Sequence, residues 1–153
     1  TVNAAIEANI KQKYLMCCKL ENLVSGGLKG KKIAVLGLAF KANTDDIRDS
    51  SSIDMISFIL SKGGKVNAYD PIANDSMLKI FPNIAYFQNV YEAINKVDAV
   101  VVMTEWNEFR SLDLRKIRNA MSGNFILDTR NILNMKELSA LKFVYDNVGR
   151  QKI

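Results

Sequence analysis

Histidine is missing from all 153 residues, and its absence removes whole classes of chemistry. Ser-His-Asp and Cys-His nucleophilic catalysis and histidine-liganded zinc cannot be assembled from this chain. Cysteine occurs only as the neighbours Cys17 and Cys18. Adjacent helical positions point in different directions, so the two cannot make a metal site by themselves. They read as free, buried or half-buried thiols of a reducing cytosol, and a cytoplasmic protein is expected. No run of about 18 apolar residues occurs, so no transmembrane helix is expected. A charged segment followed by an apolar one is lacking at the start, so no secretory signal is read. Thr1 stands without a preceding methionine in what reads as mid-helix, which suggests a fragment of a longer protein. Internal repeats and low-complexity tracts are also lacking.

What is present suits one domain of ordinary size, with an apolar share of 48% that is enough for a packed core. The net charge of +5 is compatible with nucleic acid, a membrane surface or an anionic small molecule. The basic residues are scattered, and no Lys/Arg block is interleaved with aromatics. Neither nucleic acid nor a membrane is therefore expected as a partner. A phosphate-bearing ligand accounts for the same charge more economically.

The stretch Lys32 to Ser52, KIAVLGLAFKANTDDIRDSSS, organises the rest. Ile33 to Ala39 is almost wholly apolar, as a strand buried on both faces of a parallel sheet should be. A polar loop follows, holding Lys41 and Arg48, and then Ser50 or Ser51 caps an apolar-periodic helix. Before this stretch, Ile6, Ile10, Tyr14, Cys17/Cys18, Leu20, Leu23 and Val24 recur near a 3.6-residue period, predicting an amphipathic helix ended by Ser25-Gly26-Gly27. That helix either leaves an apolar stripe open for self-association or folds back on the domain's own sheet. After it, further strands are predicted over 65–70, 84–87, 98–104, 124–129 and 142–148, with helices over 74–81, 90–96 and 112–121 between them. Five or six strands alternating with helices make an α/β, Rossmann-like, doubly wound parallel sheet, preceded by the end of a long helix.

In such a sheet ligands collect beyond the carboxyl ends of the strands. Lys41 and Arg48 fall there. Each could take a phosphate, or each could pair with Asp45, Asp46 or Asp49 on a solvated loop. Arg130, just past the fifth strand, could converge with Lys41 on one ridge. Gly30 to Lys32 reads as a turn, because Ser25 and Lys32 stand where a P-loop needs glycine and Ser/Thr. Asp70 closes the second strand, where a dinucleotide fold grips a ribose. The first turn, Gly37-Leu38-Ala39-Phe40-Lys41, lacks the Gly-x-Gly-x-x-Gly that lets a pyrophosphate approach. Asp70 is therefore read as structural, pairing at the turn of Pro71. Trp106 and Phe109 either wall a site or pack a loop, packing being the commoner role.

Gly37 to Ser50, GLAFKANTDDIRDS, resembles the GLxFKxxTDDxRES signature of the nucleotide-sugar dehydrogenases. TEWNEF (Thr104 to Phe109) is similar to the TEWxEF of that family's UDP-glucose branch, DTRN (Asp128 to Asn131) to its DxRN, and FVYDNVGR (Phe143 to Arg150) to its FxYxxIGR ending. EANIKQK (Glu7 to Lys13) resembles the VNExQK near the end of the family's central helix.

The resemblance implies a UDP-sugar-binding α/β domain over residues 30–153 and, over 1–26, the tail of the connecting helix that forms the dimer core in the family. It implies that the intact enzyme is NAD-dependent and oxidises the C6 alcohol of UDP-glucose to UDP-glucuronate, a precursor for polysaccharide biosynthesis, by two hydride transfers through a cysteine thiohemiacetal and thioester. NAD and the catalytic cysteine belong to an N-terminal part. Cys17 and Cys18 do not match the cysteine's context, so the fragment is expected to carry no catalytic residue. Phe40 and Lys41 match the family's substrate-binding pair, Arg130 an arginine that contacts the UDP part, and Arg48 an arginine that reaches across to NAD. Asp49 departs from the usual glutamate. The expected partners are a UDP-sugar, the NAD-binding domain of the same protein, and a second copy through the helix. The alternatives are a UDP-N-acetylhexosamine or GDP-mannose dehydrogenase, or a non-catalytic nucleotide-binding or dimerisation module.

Overall fold

Alternate residues of the first strand enter opposite cores, and this fixes the architecture. Ile33 and Val35 pack into one apolar cluster, Ala34 and Leu36 into another on the far side of the sheet. Ala99 and Val101, then Val100 and Val102, divide in the same way. A strand apolar on both faces has to lie in the middle of a sheet covered by helices on both sides.

The computed structural model describes residues 2–149. It has six parallel strands, β1 Lys32–Leu36, β2 Lys65–Tyr69, β3 Ala85–Tyr86, β4 Ala99–Val102, β5 Phe125–Asp128 and β6 Val144–Asn147, in the order β3-β2-β1-β4-β5-β6. This is the strand order of a doubly wound dinucleotide-binding sheet. The helices are α1 Val2–Leu23, α2 Ser51–Ser61, α3 Asn74–Leu78, α4 Val90–Ala93, α5 Asn107–Arg110, α6 Leu114–Ala120 and α7 Met135–Ala140. Strand ends come one to three residues inside the predicted spans, because the flanking residues turn into loops. The short α5 and α7 are additions to the predicted set. Arg150, the last residue of the FVYDNVGR block, lies outside the described residues.

Local chemistry explains the joints. Ser50 caps α2, its hydroxyl accepting from Ser52 N–H at 3.2 Å. Gly26 (φ 81°) and Gly27 (φ 80°) end α1 in the left-handed conformation. Asn134 caps α7, accepting from Glu137 N–H at 3.0 Å, a signal present in the sequence as Asn-x-x-Glu.

The two halves of α1 differ. Met16, Cys17, Leu20 and Leu23 are buried against the domain. Upstream the helix projects, with Val2, Ile6, Ile10, Tyr14 and Leu15 all at least 49% exposed. Among the described residues no helix is long and apolar enough to cross a membrane.

Gly37 has φ 95°, and a Cβ built there would lie 1.7 Å from Thr104 Oγ1. Gly37→Ala combines left-handed strain with an overpacked contact and is expected to cost about 2–5 kcal/mol in urea unfolding. Gly26→Ala, with nothing within 4 Å of its Cβ, should cost only about 1 kcal/mol. Burial pushes the Cys17 thiol up to about 11, while Cys18 is half-buried. Mass spectrometry after iodoacetamide treatment at pH 8 should find Cys18 labelled in the folded chain and Cys17 labelled only on unfolding.

Candidate functional site

Between β1 and β4 the winding of the sheet reverses: the chain leaves β1 toward β2 on one side and leaves β4 toward β5 on the other. The loops part there, leaving a crevice beyond the carboxyl ends of the strands. A cleft of about 580 Å³ lies at this rim, within the roughly 300–1,000 Å³ usual for small-molecule sites. Phe40 and Lys41 enter it from the loop after β1, Met103 from the end of β4, and Thr129 and Arg130 from the end of β5.

The loop after β1 is tied at its base and free at its tip. Ser50 Oγ donates to Leu38 O and Ser52 Oγ to Gly37 O, each at 2.7 Å. Phe40 N–H donates to Asp46 O at 2.9 Å. Phe40 and Lys41 are left exposed, with the Lys41 ammonium 5.4 Å from the Phe40 ring centroid, in cation–π range. Lys41 makes no salt bridge among the described residues.

Arg130 is set by its own motif. Asp128, buried at the end of β5, accepts from Arg130 N–H at 3.1 Å and, through its other oxygen, from Ile132 and Leu133 N–H at 2.8 Å each. The side-chain Nε–H of Arg130 donates to Met103 O at 2.9 Å. That single anchor leaves the two terminal amino groups of the guanidinium for a ligand. Asn131 (φ 57°) donates to Val148 O, joining the loop to the end of β6.

Arg48 stands apart from this cleft. Its guanidinium forks onto Asp46, with Nε at 3.0 Å from Oδ1 and Nη2 at 2.7 Å from Oδ2, while its side chain is 88% exposed. The hydrogen bond from Arg48 holds the Asp46 carboxyl down at about 2. Of the two loop cations, then, Arg48 takes the loop carboxylate and Lys41 does not. Asp49 lies on the cleft wall in the left-handed region (φ 58°), and its carbonyl accepts from Lys13 Nζ at 3.3 Å.

Sequence reasoning missed the wall that α1 provides. Asn9, Gln12, Lys13 and Met16 line the cleft; their i, i+3, i+4, i+7 spacing puts them on one helical face. The signal was available as a second stripe beside the apolar one. Trp106 and Phe109 are packing residues outside this cleft: Phe109 is fully buried with its ring centroid 6.1 Å from that of Tyr69, and Trp106 Nε1–H donates to Asp70 Oδ2 at 3.2 Å.

Asp70 is structural, but its reach goes beyond the turn at Pro71. Besides Ile72 and Ala73 N–H, it accepts from Leu38 and Ala39 N–H in the loop after β1. Those last two amides belong to the first turn, the place where a dinucleotide fold presents its amides to a pyrophosphate. Among the described residues no cluster of three or more His, Cys, Asp or Glu could hold a metal ion.

The geometry can be set beside known proteins. The chain is 39% identical over 150 residues to the UDP-glucose 6-dehydrogenase of Rickettsia bellii, covering 97% of this chain and 35% of that protein. Its fold is similar to that of a UDP-glucose dehydrogenase from Pyrobaculum islandicum, with a TM-score of 0.76 and 27% identity over 92% of this chain and 30% of that one. An NDP-N-acetyl-D-galactosaminuronic acid dehydrogenase from Methanosarcina mazei gives a TM-score of 0.77 at 26% identity, over 92% and 29%. The chain spans about a third of the length of the curated relatives it matches. Residues 34–135, from the first strand to the start of α7, match the UDP-binding domain of the UDP-glucose/GDP-mannose dehydrogenase family, and the chain belongs to that family.

Proposed function

We propose that this chain is the nucleotide-sugar-binding part of an NAD-dependent UDP-glucose 6-dehydrogenase, acting in the cytoplasm. The observation that carries this reading is the convergence of Phe40, Lys41 and Arg130 on one cleft at the point where the sheet's winding reverses. Lys41 and the free end of Arg130 present positive charge from two different loops, as a diphosphate requires. Phe40 offers an exposed ring beside the ammonium, a surface for the uncharged part of a ligand. Residues 30–153 would form the binding domain and residues 1–26 the tail of a connecting helix.

What this chain's residues do in the reaction is bind and orient. The diphosphate is clasped by Lys41 and Arg130 so that the sugar is carried toward the rim. The NAD that would take up hydride from C6 and the thiol that would form the covalent adduct are assigned to the rest of the enzyme. Arg48, exposed on the same rim but outside the cleft, is the residue assigned to meet NAD held by a separate domain. Trp106, characteristic of the UDP-glucose branch, is turned onto Asp70 and does not itself select the sugar.

Calorimetric titration with UDP, UDP-glucose and GDP-mannose tests the reading: the uridine nucleotides should bind and GDP-mannose should bind more weakly. Lys41→Ala and Arg130→Ala should each weaken UDP binding by about 1.5–3 kcal/mol, the worth of a hydrogen bond to a charged group. Arg48→Ala should leave UDP affinity unchanged and, in the whole enzyme, raise the KM for NAD. Unaltered UDP affinity in both Lys41→Ala and Arg130→Ala overturns the assignment.

The exposed stripe of Val2, Ile6, Ile10 and Tyr14 on α1 supports the proposal that the partner there is a second copy of the chain. In sedimentation velocity, the double substitution Ile6→Lys and Ile10→Lys should shift a dimer to monomer without altering the circular dichroism of the domain.

A further inference from the structure

Asp70 is 2% exposed, and no cation accompanies it among the described residues. Five N–H donors converge on it instead. Oδ2 accepts from Leu38 N–H at 2.8 Å, Ala39 N–H at 3.1 Å and Trp106 Nε1–H at 3.2 Å. Oδ1 accepts from Ile72 and Ala73 N–H at 2.9 Å each. A buried carboxylate is tolerable only when its lone pairs are satisfied in this way. The arrangement also pins three separate segments to one point: the loop after β1, the turn after β2 and the TEWNEF segment after β4. Ala39 is followed directly by Phe40 and Lys41, and the neighbouring ties are the Phe40 N–H bond to Asp46 O and those of the Ser50 and Ser52 hydroxyls to Leu38 O and Gly37 O.

We propose that Asp70 is a positioning residue of the cleft: an internal anion seated in the amide cradle after β1, where it holds Phe40 and Lys41 in register with Arg130. A dinucleotide fold leaves that cradle open for its cofactor's pyrophosphate. Here a side chain fills it permanently, so the loop is shaped before any ligand arrives. Asp70→Asn keeps the size, removes the charge and turns one acceptor group into a donor facing N–H donors. The nucleotide part of the argument rests on the reading of the cleft given above; the loop part does not.

Amide hydrogen exchange of this chain, followed by NMR, should accelerate in Asp70→Asn by about 100-fold at Leu38, Ala39 and Phe40, whose N–H groups are bonded in the folded loop, while β1 and β4 keep their protection. UDP affinity should fall about tenfold or more. In a Lys41→Ala background the same substitution should cost clearly less than it does alone, because part of its effect passes through Lys41. Unchanged exchange at positions 38–40 overturns the proposal whatever happens to nucleotide binding. So does a UDP effect that adds in full to that of Lys41→Ala, which is what general loosening would give. If neither wild type nor variant binds UDP, the reading of the cleft falls, and the exchange rates still decide the role of Asp70. Should Asp70→Asn fail to fold, Trp106→Phe deletes one donor and keeps a ring. It is expected to raise exchange at Leu38 and Ala39 severalfold, and no change there overturns the proposal.

Discussion

Backbone N–H groups at the carboxyl rim of a parallel sheet have no strand left to pair with, and in this protein two buried carboxylates take them. Asp70 at the end of β2 and Asp128 at the end of β5 stand on either side of the β1–β4 pair. Each accepts from the backbone of its own following turn, and Asp70 also accepts from the loop after β1. An orphaned buried amide costs about 1–3 kcal/mol, so several such groups satisfied at each carboxylate decide whether the rim is ordered at all. The cations of the cleft are then a second layer, placed by loops that anions have already fixed.

That order of construction brings two positive groups to one cleft. Arg130 and Lys41 leave from separate loops whose bases are anchored independently, Arg130 by Asp128 and Met103 O, Lys41 by the Ser50 and Ser52 hydroxyls and Asp70. Arg48, whose loop position has no such constraint, relaxes onto Asp46 instead, as a solvent-exposed guanidinium beside a carboxylate does.

The alternation of strands with helices and the two-sided core were legible because they rest on residue patterning, which a single sequence displays. Ile33 to Leu36 and Ala99 to Val102 could hardly be anything other than central strands. The cleft's cations were legible for a different reason: Lys41 and Arg130 follow strands that were themselves recognisable, and strand ends converge in this kind of sheet. What could not be read were contacts between segments far apart in the chain. Nothing local to Asp70 announces that Leu38, Ala39 and Trp106 will donate to it, and the Pro71 turn, its only visible neighbour, accounts for two of its five bonds. The α1 wall was hidden because the helix carries two faces at once, and the apolar one drew the eye. The short α5 has no side-chain cap to announce it, and the signal of α7 was its Asn134-x-x-Glu137 cap.

A helix rising about 1.5 Å per residue, buried from Met16 onward and tied through Lys13 to Asp54 and Asp49 O, is a spar fixed at one end. Its residues before Lys13 project by about 16 Å, so a rocking of about 5° at the root sweeps the tip through about 1.4 Å. The turn holding Gln12 and Lys13 sits just above the fulcrum, against the cleft. Any body gripping the far end thus has mechanical leverage on one wall of the binding crevice, and whatever fills the crevice stiffens the mounting of the spar.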